Sequence, residues 1–382
     1  MNLLRISTSM LLVLVPAYGQ IFNSGSTGAD GALTYTTPGP QIFDPKAFNP
    51  VKDADGDTIF NFTTITIGAG VTLRMAGNVY APPVIWLAQG AVKIDGILDL
   101  SGQDGFSASN TTQRLLTVPG SGGYGGGYPG VGANPPGDGL GPFFGVANGC
   151  ANGGFSGNQF DVPLVGGSGG GGYNSFAGGA GGGAILIASS LSISGAGSIK
   201  ATGGSAVGSS SGAGAGGAIR LVAPSVTIAG KLDAAAGPQA CGNGHQPFSG
   251  VVRIEAFQIG AITAGGSLYT ATPFGLFLPT LVGIPTVRVT SVGGIAVVTN
   301  PTGTFAFPDV NVNSNAALPF VIQASNVPLG TTVTLKLFSE NGADKVLIST
   351  GLTGTLASST VTISTTIPPG FSTGFVTATW TP

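Results

Sequence analysis

The chain has 382 residues, of which 7% are charged and 68 are glycine, and its formal net charge is −2. An average soluble protein carries roughly 25% charged residues, so an ordinary helical enzyme is disfavoured, as is disorder driven by charge repulsion. With 13 Lys and Arg in all there is no electrostatic footprint for nucleic acid.

The first twenty residues, MNLLRISTSMLLVLVPAYGQ, place Arg5 before an apolar run from Met10 to Val15, then Pro16, then Ala17 and Gly19 at the spacing of a secretory cleavage site. Residues 1–19 are therefore expected to be a signal peptide, with a secreted mature chain starting at Gln20. No later stretch holds about 18 uninterrupted apolar residues, so no membrane span is expected.

Residues 20–62 are rich in proline and acids and are expected to form an N-terminal cap, because an open stack of strands would expose unpaired edges. Within them Asp53, Asp55 and Asp57 alternate like the oxygen ligands of a calcium loop around Gly56, but the acid about seven residues later is missing. Either a calcium site or a solvated turn fits; no other cofactor is implied.

From Thr63 to about residue 272 short β-type runs recur between glycines: TTITIGAGVTLRMAG, VIWLAQGAVKIDGILDLSG, AILIASSLSISGAGSIKATGG and AIRLVAPSVTIAGKLDAAAG. Aligning Ala188 with Ala223 places Leu191 on Val226, Ile193 on Ile228 and Gly195 on Gly230, and Arg253 follows Arg220 by 33 residues. Strands of about four residues cannot bury an apolar face alone, whereas stacked copies can. The expected fold class is therefore all-β: a right-handed parallel β-helix, with Gly96, Gly195 and Gly230 at its corners reaching positive φ.

Between about residues 106 and 182 lies a glycine- and proline-rich insertion, read either as flexible or as a compact cap pinned by Tyr124, Tyr128, Phe143, Phe144 and a disulfide. Only two cysteines occur, Cys150 and Cys241; an even count in an exported chain favours their pairing, with free thiols or an intermolecular bridge as alternatives. The glycines are not a phosphate cradle, since no GxxxxGK followed by Ser or Thr occurs and the tract ending at Gly183 leads into the β-type run AILIASS. After a linker at 273–285, residues 286–382 show Thr/Val-rich strands at about ten-residue spacing, the pattern of an immunoglobulin-like β-sandwich, with a further stack of β-helix coils as the alternative.

Candidate chemistry is sparse. Nucleophilic catalysis would rest on His245, the one histidine. The outer face of a β-helix can line up a sugar chain, and there Arg220 and Arg253 should stack on successive coils with Glu255 on the same face. Those three residues are the alternative catalytic set; a surface ion pair is the plainer reading. Trp86 is either core or, if it faces outward, a platform for a sugar ring.

The runs GGAILIASSLSISGAGSIKATGG and GGAIRLVAPSVTIAGKLDAAAG resemble the glycine-rich repeats of exported bacterial surface proteins with pectin-lyase-like β-helices, over roughly residues 63–272. The last hundred residues look like the Ig-like modules appended to such proteins. The resemblance implies secretion, a cell-surface or matrix location, and a structural or adhesive role with extracellular polysaccharide or surface proteins as partners. Polygalacturonase-type relatives carry an Asp-Asp pair and a Gly-His-Gly segment, whereas here Gly244-His245 is followed by Gln246. The expected function is thus a non-enzymatic surface protein, with glycan binding or cleavage as the alternative.

Overall fold

The computed structural model describes residues 22–48, 59–108, 114–208, 210–239, 248–273, 285–298, 301 and 308–380. The chain is all-β apart from a single 3-10 turn at Pro45–Ala47 among those residues. Three parallel sheets of six strands each take up its first part. Starting with Leu33–Tyr35, Gly39–Ile42 and Ile59–Phe62, the chain visits the first, second and third sheets in turn and repeats that circuit until Gln258–Ile259, Thr263–Gly265 and Ser267–Ala271. Each circuit lays one coil on the last.

Side chains explain why the coils stack. Strands alternate buried and exposed residues, as in Val71–Arg74 and Ser225–Ile228, and the register places like on like. Val92, Ile193 and Val226 form one ladder, Leu98, Ile199 and Leu232 a second, and Ile185, Ile219 and Val252 a third. All nine are fully buried or nearly so and share one core. Within residues 20–62, expected to cap the stack, strands Leu33–Tyr35, Gly39–Ile42 and Ile59–Phe62 belong to its first coil, with Leu33 paired to Ile65 and Gly39 to Val71. The segment before them lies over the first coil's edge, where Asp30 N–H donates to Asn61 O and Thr63 N–H to Gly31 O.

The register differs from the sequence alignment by two residues in the first sheet. Ile193 pairs with Val226 and Gly195 with Ile228, an offset of 33 instead of 35, while Arg220 pairs with Arg253 as expected. A shift of two leaves every side chain on its own face, so the apolar pattern is the same in both alignments. Leu191, aligned with the buried Val226, is 60% exposed.

The corner glycines are also Gly96, Gly197 and Gly230 instead of a set containing Gly195. Of the expected three, Gly195 has positive φ, at 150°, whereas the stacked Gly96, Gly197 and Gly230 do not. They sit directly on one another: a Cβ on Gly197 would lie 1.8 Å from Gly96 O, and one on Gly230 would lie 2.1 Å from Gly197 O. Closeness of stacked backbones, not backbone conformation, excludes side chains there.

The described residues of the insertion form a compact unit. Between strands Ile97–Asp99 and Ala184–Ser189 the chain forms extended segments with almost no regular secondary structure, bundled by hydrogen bonds between main chains. The segment 167–172 lies at the centre. Amides of Gly167 and Gly170 donate to Gly182 and Gly179, those of Ser168 and Gly171 to Gly154 and Ala151, and those of Gly169 and Gly172 to Leu140 and Gly137. Its carbonyls obey the same rule: 167 and 170 accept from Tyr124 and Gly127, 168 and 171 from Ala215 and Gly212, 169 and 172 from Gly145 and Asn148. Residues three apart face the same neighbour, the period of a polyproline-II-type chain, which makes no internal hydrogen bonds and must find partners outside itself. Here six neighbouring segments supply them at 2.8–3.1 Å. A Cβ on Gly181 would fall 1.8 Å from Gly167 O, which is why the interior admits glycine and little else.

Of the aromatic residues expected to pin this insertion, Phe143 and Phe144 are 61% and 45% exposed and pin nothing. Tyr128 does, but against the C-terminal part: its ring lies 4.3 Å from that of Phe338, with the Arg114 guanidinium 4.4 Å above it and paired to Asp344. That part holds two antiparallel sheets, a five-stranded one centred on Thr286–Val292, Leu318–Ser325 and Ser358–Thr365, and a three-stranded one of Lys345–Gly351, Thr332–Ser339 and Ser372–Ala378. Phe320, Ile322, Val333, Leu335 and Ile363 meet in a core between them.

Candidate functional site

The outer face of the third sheet carries the residues of the glycan reading. One outward row runs Ile85, Leu186, Arg220, Arg253, Tyr269 across successive strands, and the next runs Leu87, Ala188, Val222, Glu255, Ala271. Both rows begin apolar and turn polar. The apolar part is covered by Phe22 and Leu164, which accounts for strands such as Ala218–Val222 being buried on both faces.

Arg220, Arg253 and Glu255 are brought together as expected. Glu255 Oε1 accepts from Arg220 Nε at 3.0 Å and Nη2 at 2.9 Å, and from Arg253 Nε at 2.8 Å. They do not form an open groove, because residues 155–164 of the insertion cross the face. Arg253 Nη1 donates to Gln159 O at 2.9 Å and its guanidinium lies 5.3 Å from the Phe160 ring centre. Arg220 and Glu255 are left 2% and 4% exposed. Two guanidiniums tied to one buried carboxylate are placed to hold two coils and a covering segment together; neither offers a free base to a substrate.

Asp161, which the sequence did not single out, completes the cluster. It is fully buried, at φ 49°, and neither carboxylate oxygen has a hydrogen-bond partner. Burial pushes its pKa up to about 7, against the pull of Arg220 and Arg253 and with a smaller push from Glu255. An acid three residues before a leucine in a loop carries no signal by itself.

A second polar surface is a shallow groove of about 570 Å³ where the second sheet meets the glycine bundle, lined by Arg74, Asp99, Asp104, Thr202 and Asp233. The register places Arg74, Asp99, Lys200 and Asp233 in one ladder of alternating charge. Arg74 pairs with Asp99 at 3.2 Å, and Asp99 also caps the amide of Ser101. Such exposed cross-strand pairs each contribute little.

Trp86 is wholly buried, its ring 5.3 Å from that of Phe43 and 5.9 Å from that of Phe62, so it presents no platform for a sugar. It is core. Asp53, Asp55, Asp57, Cys241 and His245 lie outside the described residues. Cys150 is buried and is not a free thiol. Among the described residues no group of three His, Cys, Asp or Glu could hold a metal ion, and no helix is long and apolar enough to cross a membrane.

No family model matches the chain, and neither a curated protein nor a solved structure does.

Proposed function

We propose that the protein is a secreted, non-enzymatic scaffold of the cell surface or extracellular matrix: a right-handed β-helix whose glycine bundle carries an Ig-like module, stapled by a Cys150–Cys241 disulfide. The observation that carries this reading is the roofed third sheet. The face a polysaccharide would need is closed by residues 155–164, and its arginines are spent on Glu255. Supporting it, the bundle leaves the main chain of its central segment fully hydrogen-bonded, which resists proteolysis because cleavage needs local opening. The partners we propose are extracellular polysaccharide or surface proteins, met by loops or by the C-terminal sheets.

A glycan array followed by product analysis tests it. We expect no turnover of any polysaccharide by the full-length protein. Degradation that Arg253→Ala abolishes would replace the scaffold with the alternative, a glycan-cleaving enzyme acting at Arg220, Arg253 and Glu255. Amino-terminal sequencing of the exported chain, expected to begin at Gln20, and a non-reducing peptide map test the remaining parts.

A further inference from the structure

We propose that residues 155–164 form a pH-set strap over the third sheet, held closed by a protonated Asp161 and loosened when that carboxyl ionises. The strap is one unit. Asn158 Oδ1 accepts from Phe160 N–H at 2.8 Å, Asp161 N–H donates to Asn158 O at 3.0 Å, and Asn158 Nδ2 donates to Val162 O at 2.6 Å. It is fastened to the sheet at two points, Leu164 among Leu186, Ala218 and Val222, and Gln159 O with the Phe160 ring on Arg253, and it buries Asp161 completely.

Of these groups on the strap only Asp161 can change its charge with pH. The charged groups facing Asp161 are Arg220 from strand Ala218–Val222 and Arg253 and Glu255 from strand Val251–Glu255. The two arginines share Glu255 Oε1, and the strap itself carries no other titratable side chain. An ionised Asp161 would therefore sit fully buried with neither oxygen hydrogen-bonded, a situation that favours either the neutral acid or exposure to water.

The sign is set by proton binding. With the strap closed the carboxyl's pKa is about 7, and with the strap open it returns toward the ordinary aspartate value of 3.8. Closed, it holds a proton that it releases on opening. Opening is thus favoured as pH rises, by about tenfold per pH unit between the two values, and becomes independent of pH above about 7. What opening uncovers is Arg220, Arg253 and Glu255.

Hydrogen exchange of the full-length protein, corrected for the intrinsic pH dependence of amide chemistry, reads the opening of residues 155–164. Between pH 5 and 6.5 we expect the opening equilibrium to rise about tenfold per unit and then level off. Asp161→Asn, which keeps the volume and stays neutral, should give a closed strap with no such rise. A flat profile in the unsubstituted protein, or the same rise in the variant, overturns the proposal. Should the variant not fold, carboxyl-carbon NMR of the unsubstituted protein decides: titration near pH 7 supports the strap, and titration below pH 5 overturns it.

Discussion

The coil stack and the glycine bundle solve one problem in opposite ways. Both must satisfy the buried peptide groups of a packed interior. In the coils, strands hydrogen-bond along the stack while Ile185, Ile219 and Val252 fill the space between sheets. In the bundle, the segments hydrogen-bond in several directions at once, and at glycines such as Gly167 and Gly181 the space between them is too small for a side chain. One core is built of side chains and the other of backbone. Apolar burial stabilises the first, whereas the second depends on hydrogen bonds whose net contribution is about 1 kcal/mol each but whose loss at a buried group costs more.

The two cores should therefore break differently. The largest effect is expected from Gly181→Ala, because the obstruction at 1.8 Å is the Gly167 carbonyl and no rotamer change can relieve it. A loss of about 4–5 kcal/mol is expected in denaturant unfolding, extreme for one methyl group. A loss below about 1 kcal/mol would mean that the bundle is loose. In the coil stack the reverse change is damaging: Ile187→Ala removes a fully buried side chain and should cost about 3 kcal/mol. Tolerance of that change would show that the coils, too, are held by backbone. The smallest effect among these glycine and core changes sharpens the contrast. Gly132 has φ 59° and open space around it, so Gly132→Ala should cost only about 1 kcal/mol, the conformational penalty alone. Thermal unfolding of the three variants side by side would separate glycine kept for space from glycine kept for conformation.

The buried charges add a fourth test. Removing one partner of a buried pair leaves the other charge uncompensated, at a cost of about 3–5 kcal/mol. Glu255→Ala should lose that much, while Asp99→Asn in the exposed ladder should lose less than about 1 kcal/mol. Equal losses at the two sites would contradict the burial that the strap provides.

Alternating apolar residues and the 33-residue spacing of Arg220 and Arg253 were enough to expect stacked parallel strands, because a side chain every second residue records which face is buried. The same period hid the two-residue error between Ile193 and Val226, since both alignments bury the same face. Trp86 was ambiguous for a related reason: its strand, Val84–Ala88, is buried on both faces and has no alternation to read. Of the charged cluster, Arg220, Arg253 and Glu255 could be placed together because they lie in register on neighbouring strands. Asp161 could not, for it reaches them from a loop 59 to 94 residues earlier in the chain.

What the amino-acid sequence determined by itself is the all-β class, the repeating coil and the change of texture near residue 285. Each is written in side chains whose order along the chain records local burial. Only the tertiary structure decided that the glycine tracts form a packed interior and that a strap closes the third sheet. Glycine has no side chain with which to record a face, so the three-residue period of its hydrogen bonds leaves no trace until the segments lie side by side.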